Sequence, residues 1–461
     1  MTAADVVRLS ALDTVFLALD GRDSVGHLTL LIVVDGDLDV ATLTSRVKAQ
    51  VPRHALLRRR LATVPGGVGR PFWTEVAPDL DVHAGTSELP DGVGNRELAE
   101  VASSLSRDPL PRDRPLWRVG LLRSQSDRRS VVALTVHHAA ADGLAIRELV
   151  SDLLDPLWEQ EPELAVPAPP REALSEVRRW GGTLDLPAAV VGALPTAAGL
   201  VPGAVAGAAA AILTAPLTVR DRGRSDRRML HGSVGADRSL AFGDVLLESA
   251  RSLRATHGAT VNDLVLAATA GALRRLLGEL GEVPRHPLHA AVPASRREAG
   301  QSAADGANRF VVLRCPLPVH EPSREARVAL VRAAMRAARE RPDESEATMD
   351  ALARFAVPAL ATPAVRTATR LGLARRVRLP YDLMVSNVPM PPVARTIAGL
   401  PVRAVRPVPL VTEGLGLNVT VHGYDNRLFY SVLSSPQVLA ETERLVALIE
   451  DEHEQLAALA D

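Results

Sequence analysis

The segment His137-His138-Ala139-Ala140-Ala141-Asp142-Gly143 concentrates the residues of this sequence that could perform chemistry. It follows the apolar run Val131–Val136, which predicts a β-strand. Adjacent strand residues point to opposite faces, so we expect one histidine to face a reactant and the other to pack or to orient its neighbour. A neutral imidazole can take a proton from an alcohol while that alcohol attacks a carbonyl carbon. The segment therefore predicts general-base catalysis.

Two further positions of this segment have candidate roles. Asp142 could orient a histidine as in a hydrolase triad, or it could form an ion pair that holds the turn. We favour the ion pair. We expect Gly143 to let the backbone turn tightly.

Two other interpretations of the segment compete with catalysis. A pair of buried histidines with a structural role is common at strand ends, but the full spacing makes it the weaker interpretation. A metal site is a second alternative, because His137, His138 and Asp142 are all ligand types. Neighbouring histidines diverge on a strand, and no cysteine or glutamate lies close in sequence, so no metal is predicted.

The sequence offers little support for a covalent intermediate. Cys315, the only cysteine, lies in an apolar run beside Pro316, where a thiol is expected to be buried and inert. The GxSxG elbow of α/β-hydrolases is missing from the sequence. Direct transfer to an alcohol is therefore expected.

Composition narrows the function classes and the compartment. The chain has 53 Lys and Arg against 54 Asp and Glu, a net charge of -1, so no nucleic-acid partner is expected. A single cysteine fits a reducing compartment. The N-terminus lacks the apolar stretch of a signal peptide, and we expect a cytoplasmic protein.

An uncharged segment divides the chain. Residues 186–219 contain no charged side chain, but four prolines interrupt them before a membrane-spanning length of roughly 20 apolar residues is reached. We interpret residues 186–225 as an apolar interdomain linker with short buried or interfacial helices. Its apolar character makes contact with a membrane or a lipid droplet plausible.

The elements on either side predict two mixed domains, residues 1–185 and residues 226–461. The first half has apolar runs typical of strands at Leu28–Val34, Leu116–Leu122 and Val131–Val136, and helical spacing at Leu43, Val47 and Val51 and again after Gly143. The second half predicts helices at about 243–256 and 262–277, the latter capped by Asn262, and a final helix at about 439–456. Its predicted strands are Leu288–Val292, Phe310–Cys315, Leu383–Asn387 and a hairpin of Leu417–Val421 with Leu428–Val432. The predicted fold class is α+β, with one mixed sheet in each domain.

Several motifs together resemble a known family. The first segment resembles the HHxxxDG signature of coenzyme A-dependent acyltransferases, which include chloramphenicol acetyltransferase, peptide-synthetase condensation domains and the wax ester synthase/diacylglycerol acyltransferases. The other motifs resemble the bacterial members of the last group across nearly the whole chain. These motifs are Leu9-Ser10-Ala11-Leu12-Asp13, Pro115-Leu116-Trp117, Asn262-Asp263, Val292-Pro293-Ala294-Ser295 and Ser386-Asn387-Val388-Pro389.

The resemblance implies a specific architecture and reaction. It implies two chloramphenicol-acetyltransferase-like domains around a central tunnel, with His138 as the general base and Asn262 and Asp263 near the thioester. The implied reaction moves a fatty acyl group from acyl-coenzyme A, a co-substrate rather than a bound cofactor, to diacylglycerol or to a long-chain alcohol. Such an enzyme would associate peripherally with the inner face of the membrane or with lipid droplets.

Some of these motifs also have simpler explanations. Asn262 and Asp263 are both common helix-capping residues. Trp117 fits a core strand entry better than a channel lining. The chain departs from the family pattern at Ala307 and Met390, where glycine is usual. A rival interpretation is a carrier-protein-dependent, condensation-like relative or a non-catalytic lipid-binding relative.

Overall fold

The computed structural model describes most of the two predicted domains but not the segment between them. The described residues are 7–20, 25–62, 71–124, 127–156, 230, 232–248, 258–282, 285–295, 308–340, 380–388 and 393–458. The predicted linker at 186–225, and with it the boundary between the domains, lies outside these ranges.

The described residues of the first part of the chain form eight short or medium strands and five α-helices. The strands are β1 (Val7–Arg8), β2 (His27–Asp35), β3 (Arg59–Ala62), β4 (Phe72–Glu75), β5 (Ala84–Glu88), β6 (Trp117–Arg123), β7 (Arg129–His137) and β8 (Asp155–Pro156). The helices are α1 (Ala11–Leu19), α2 (Val40–Gln50), α3 (Leu80–His83), α4 (Asn95–Leu105) and α5 (Gly143–Leu153).

Where it is described, the second part combines eight strands, most of them long, with three long helices. The strands are β9 (Ser239–Leu246), β10 (Leu288–Ser295), β11 (Phe310–Leu317), β12 (Leu383–Val388), β13 (Arg395–Ile397), β14 (Leu400–Val408), β15 (Leu417–Tyr424) and β16 (Arg427–Ser434). The helices are α6 (Val261–Glu279), α7 (Arg324–Glu340) and α8 (Thr442–Ala457).

Two mixed sheets organise these elements. The N-terminal sheet has the strand order β5-β6-β7-β2-β14-β13-β8, and the C-terminal sheet has the order β11-β10-β12-β15-β16-β9. Parallel pairs, such as β5 with β6 and β12 with β15, stand beside antiparallel ones. A third, smaller sheet has the order β1-β4-β3. The predicted α+β class with one mixed sheet in each domain is confirmed.

Apolar residues form three clusters around these sheets. The N-terminal core lies between one face of the N-terminal sheet and helices α2 and α5, and it includes Ile32 and Leu134. The C-terminal core includes most of helix α6 and one face of the C-terminal sheet, for example Val419 and Tyr430. The third, which we call the interdomain cluster, joins both sheets with helix α4. It therefore fixes the two sheets against each other through burial of apolar surface.

Strand β14 connects the two sheets in a way that the sequence did not reveal. It follows strand β12 of the C-terminal sheet in the chain, yet it pairs antiparallel with β2 in the N-terminal sheet. Its prolines and arginines interrupt the apolar alternation that identifies strands. Tyr424 reinforces the crossing, because its hydroxyl donates to the Val402 carbonyl at 3.0 Å and accepts from the Arg395 backbone N–H at 2.9 Å.

One predicted helix was wrong at its start. Residues 243–246, expected to begin a helix, belong to strand β9, which pairs with β16 along its whole length. The reason is packing under helix α8: a Cβ on Gly243 would lie 2.4 Å from side-chain atoms of Val446 and Glu450. This glycine marks a close helix–sheet contact rather than a helix. Residues 247–248 are helical as predicted, and the rest of that predicted helix, residues 249–256, lies outside the described residues.

A search of the described helices for a membrane-crossing span, by length and apolar character, identified none.

The crossing strand yields a stability prediction. Tyr424→Phe keeps the ring but leaves the Val402 carbonyl and the Arg395 N–H without the hydroxyl. Loss of buried hydrogen bonds costs about 1–3 kcal/mol, so we expect the free energy of unfolding to fall by that amount. Urea unfolding followed by circular dichroism measures it. An unchanged midpoint would mean that the hydroxyl does not stabilise the crossing.

Candidate active site

His137 ends strand β7 and is held at both ring nitrogens. Its Nδ1 accepts a hydrogen bond from the Ala139 backbone N–H at 3.0 Å, and its Nε2 lies 3.1 Å from Asp20 Oδ2. Because Nδ1 is an acceptor, the ring proton must be on Nε2, which donates to the carboxylate. The side chain is only 2% exposed. His137 thus has no nitrogen left for a substrate, and it matches the histidine predicted to orient its neighbour.

Asp20 anchors this arrangement. Besides His137, its carboxylate accepts from the Gly26 backbone N–H at 2.5 Å and from Arg112 Nη2 at 2.9 Å. Burial alone would raise the pKa of Asp20, but these partners, His137 first, outweigh burial and hold the pKa well below its usual value. The carboxylate therefore stays ionised and fixes the tautomer of His137.

His138 is held through its backbone, and its ring is left available. Its N–H donates to the Gly26 carbonyl at 2.8 Å, and its carbonyl accepts from Asn308 Nδ2 at 2.6 Å. The ring stacks on Phe16 with centroids 4.8 Å apart. Nδ1 is buried and has no hydrogen-bond partner among the described residues. Burial, and secondarily the neighbouring His137, lower the pKa of His138 to about 4. The imidazole is therefore neutral at cytosolic pH and able to accept a proton.

Asp142 caps helix α5 and connects the motif to the second domain. One carboxylate oxygen accepts from the Ala145 backbone N–H at 3.0 Å, and the other from the Arg309 backbone N–H at 3.2 Å. These contacts hold the turn after the histidines, which is the function expected of Asp142. Both contacts involve backbone N–H groups, and the ion pair of Asp142 stays a prediction.

Gly143 is required for a different reason than predicted. Its φ is not in the positive region, so the turn does not demand glycine. A Cβ at this position would instead lie 3.1 Å from Val388 Cγ2 of strand β12. Gly143 therefore permits close contact between the first turn of α5 and the C-terminal sheet.

Asn262 and Asp263 begin helix α6, but the predicted cap was wrong. The N-cap is Thr260, whose side chain accepts from the Asp263 N–H, while Asp263 Oδ2 accepts from the Thr260 N–H at 2.8 Å. This reciprocal capping box accounts for Asp263 in local terms. Asn262 is half-buried in the first turn of α6. A role for either residue near the thioester stays a prediction.

The remaining motifs have structural roles as far as the described contacts show. Trp117 is 1% exposed, and its indole N–H donates to the Leu57 carbonyl at 3.0 Å, so the core interpretation is confirmed. Cys315 is fully buried, and burial, with the charge of Asp263, raises the pKa of its thiol to about 12. The expectation of an inert cysteine is confirmed. Ser386 lies near the end of strand β12, and Pro389 lies outside the described residues.

Most residues that hold the histidines could not be identified from the sequence alone. No sequence pattern indicated the roles of Asp20, Gly26 and Phe16. Next to Asn308, only Ala307 was noted, as a departure from the family pattern. Asn308 Nδ2 donates both to the His138 carbonyl and to Asp13 Oδ1, the latter at 2.6 Å, and so connects the two domains at the motif. Asp20 directly follows helix α1, which is capped by Ser10. An acidic residue in that position is too common a pattern to indicate that it binds a distant histidine.

Comparison with known proteins identifies the family. Residues 9–265 match the sequence model of the wax ester synthase/diacylglycerol acyltransferase catalytic domain, and residues 306–457 match that of the WS/DGAT C-terminal domain. The chain belongs to this family of acyltransferases. The resemblance seen in the sequence motifs is confirmed, and the acyltransferase interpretation is supported over the carrier-dependent or non-catalytic one.

Individual relatives agree. A probable diacylglycerol O-acyltransferase of Mycobacterium tuberculosis is 28% identical, with 95% of this chain and 96% of the relative covered. A putative diacylglycerol O-acyltransferase of the same species is 30% identical over 88% of this chain and 80% of its own length.

Solved structures share the fold. The wax ester synthase/diacylglycerol acyltransferase of Marinobacter aquaeolei VT8 matches with a TM-score of 0.67 and 23% identity, covering 98% of this chain and 99% of that one. The first condensation domain of the calcium-dependent antibiotic synthetase matches with a TM-score of 0.57 and 21% identity, covering 100% and 97%. The two-domain condensation-like fold implied by the motifs is thereby shown.

The anchor of His137 can be tested by substitution. Asp20→Asn removes the negative charge, so His137 is no longer restricted to one tautomer and one orientation. His138, which follows His137 directly, then loses its defined position. We expect kcat to fall roughly 10-fold or more, as part of the contribution of a general base, while the KM for acyl-coenzyme A changes less than about twofold. Steady-state kinetics of the acyltransferase reaction would measure both.

Asp39→Asn is the matched control for that substitution. Asp39 also accepts a backbone N–H, that of Thr42 at 2.8 Å, but at the exposed start of α2. The substitution Asp39→Asn should therefore leave kcat unchanged. A wild-type kcat for Asp20→Asn in folded protein would show that the tautomer lock is not needed.

The pH profile tests the protonation state of His138. Its pKa of about 4 in the folded protein means that the base stays neutral as pH falls through the ordinary histidine value of about 6.5. We therefore expect kcat/KM to be flat between pH 8 and pH 5.5 for protein that remains folded. A midpoint near 6.5 would contradict a desolvated imidazole.

Folding must be monitored in the same titration. A histidine whose folded pKa lies below its unfolded pKa contributes stability that is full above about 6.5 and is lost as pH falls from there toward 4. Circular dichroism at each pH separates that loss from protonation of the base.

Proposed function

We propose that this protein transfers a fatty acyl group from acyl-coenzyme A to the hydroxyl of diacylglycerol, forming triacylglycerol, and to long-chain alcohols, forming wax esters. The observation that supports it most is the uncharged ring of His138, whose backbone is hydrogen-bonded at a strand end between the two domains and whose Nδ1 has no partner among the described residues. Its ordered neighbours fix its position without consuming its proton-accepting capacity. The names of the relatives favour diacylglycerol as the principal acceptor.

In this reaction His138 acts twice. The alcohol oxygen attacks the thioester carbonyl carbon while His138 removes the hydroxyl proton. When the tetrahedral intermediate collapses, the carbon–sulfur bond breaks and the protonated imidazole returns the proton to the departing coenzyme A thiolate. The lowered pKa of His138 in the resting protein keeps the imidazole unprotonated before attack, and the imidazolium that forms is then a strong proton donor to the thiolate.

Direct transfer agrees with the state of the only thiol. Cys315 is buried inside the C-terminal core with a raised pKa, so it supplies neither a thiolate nor access to a thioester. The oxyanion needs hydrogen-bond donors, which commonly contribute around 3 kcal/mol. Asn262 or a nearby backbone N–H is our candidate donor.

The substrates also suggest where the protein works. Diacylglycerol and long-chain alcohols partition into membranes and lipid droplets, so an enzyme that uses them must reach those surfaces. We propose a cytoplasmic protein that associates peripherally with the inner face of the membrane or with lipid droplets. Acyl-coenzyme A is consumed as a co-substrate, and the mechanism requires neither a metal nor a bound cofactor.

Removal of the base tests the proposal. We expect His138→Ala to lower kcat by about 10²- to 10⁴-fold, the usual contribution of general-base catalysis. The assay follows labelled acyl-coenzyme A into triacylglycerol or wax ester, with diacylglycerol and hexadecanol compared side by side. Cys315→Ala is the control, since direct transfer leaves its rate at the wild-type level.

Two outcomes would contradict the proposal. Turnover of His138→Ala at the wild-type rate would exclude His138 as the base. Ester formation by the wild type only after an acylated carrier protein is supplied would identify a condensation-like enzyme instead.

A further inference from the structure

Strand β15 has one apolar face and one polar face. Val419 and Val421 belong to the C-terminal core, so the alternation of side chains turns Thr420 and His422 to the opposite face. Strand β16 behaves in the same way, because Tyr430 lies in that core. Ser431 therefore shares the face of Thr420, with which it is paired in register. We call Thr420, His422 and Ser431 the polar strip.

The polar strip faces the first domain between two apolar contacts. On the same face of the sheet, Tyr424 and Phe429 belong to the N-terminal core, whereas Phe242 and Leu433 belong to the interdomain cluster. The strip thus lies between two apolar contacts of the interface between the domains. A buried polar strip there is unfavourable unless something polar meets it.

The strip also lies close to the histidine motif. His422 is paired in register with Val388, the residue that a Cβ on Gly143 would meet at 3.1 Å. Arg147, one turn further along helix α5, is near enough to lower the pKa of His422 electrostatically, in addition to the larger effect of burial. The strip is therefore opposite the first turns of the helix that follows His138.

Two atoms of the strip are buried without partners. His422 Nδ1 and Ser431 Oγ have no hydrogen-bond partner among the described residues, and their side chains are 4% and 0% exposed. Thr420 differs, because its hydroxyl donates to Asn418 Oδ1 at 2.9 Å. Burial lowers the pKa of His422 to about 4, so the ring is neutral and carries one N–H. Unpaired buried polar atoms at one place call for an explanation, and a ligand group is one that fits.

We propose that His422 and Ser431 hydrogen-bond a carbonyl oxygen of a substrate that lies alongside the histidine motif. This assignment rests on the proposed function. Both side chains can donate to a carbonyl oxygen. Diacylglycerol has ester carbonyls next to its reactive hydroxyl, and the pantetheine arm of acyl-coenzyme A has amide carbonyls. A long-chain alcohol has neither, so a strip that binds the ester carbonyl distinguishes diacylglycerol from such an alcohol by a group other than the reacting hydroxyl.

Steady-state kinetics of His422→Phe and Ser431→Ala test the assignment. We expect either substitution to raise one KM about 10-fold, corresponding to about 1.4 kcal/mol, with kcat changed less than about twofold. A rise confined to the KM for diacylglycerol, with that for hexadecanol unchanged, identifies the ester carbonyl. A rise in the KM for acyl-coenzyme A with both acceptors identifies the pantetheine amide.

Ser434→Ala is the matched control. Ser434 is equally buried on the same strand, but its hydroxyl donates to the Gly416 carbonyl at 2.9 Å inside its own domain. Its substitution should lower the unfolding midpoint and leave every KM unchanged. Ser431→Ala should raise a KM and leave the unfolding midpoint unchanged, because removal of an unpaired buried hydroxyl does not destabilise the fold.

A second histidine variant examines which atom is used. The side-chain amide of His422→Asn places a donor near the position of Nδ1, whereas that of His422→Gln reaches further, toward Nε2. We expect Asn to restore most of the KM and Gln to restore little. Equal behaviour of Phe, Asn and Gln, or an unchanged KM for every substrate in both His422→Phe and Ser431→Ala, would overturn the assignment. Failure of the wild type to form any ester would instead refute the proposed function, and the assignment with it.

Discussion

The hydrogen bonds that hold His137 are the constraint on which the arrangement of the motif depends. A backbone N–H on one ring nitrogen and the Asp20 carboxylate on the other leave this imidazole a single tautomer and a single orientation. The chain must then reverse at His138, whose N–H and carbonyl are both paired. The second ring is thus positioned without any hydrogen bond to its own Nδ1 from the described residues. The base that we propose, His138, benefits from this division, because its rigidity comes from its neighbour.

The position of the motif also requires both domains. Asn308 and Arg309 precede strand β11 of the C-terminal sheet, yet they donate to the His138 carbonyl and to the Asp142 carboxylate. Strand β14 adds a second connection between the domains, since it belongs to the second half of the chain but pairs with β2 in the N-terminal sheet. Separation of the domains would break these contacts together. The geometry of the site is therefore coupled to the packing between the two sheets rather than to one domain alone.

The sequence predicted this structure well where local patterns decide it, and poorly where long-range packing does. Long apolar strands such as β2 and β7 follow directly from their residues, and so does the motif at the end of β7. The start of strand β9 was predicted wrongly because Gly243 is needed for close packing against helix α8, which lies some 200 residues later in the chain. Strand β14 was missed because its arginines find partners only in the folded protein, as Arg406 does between Phe242 and Phe429. Asp20 was missed for the same reason: only its distant partner, His137, gives it a role.

Burial of histidines illustrates how one physical effect serves different purposes in this fold. Burial lowers the pKa of His138, His422 and His453 to about 4. His453 lies within hydrogen-bond distance of the Tyr430 hydroxyl inside the C-terminal core, so its polar group is satisfied and its role is structural. His138 and His422 share the shift, but their Nδ1 atoms have no hydrogen-bond partner among the described residues, and both lie where the domains meet. Desolvation therefore does not by itself distinguish a functional histidine from a structural one.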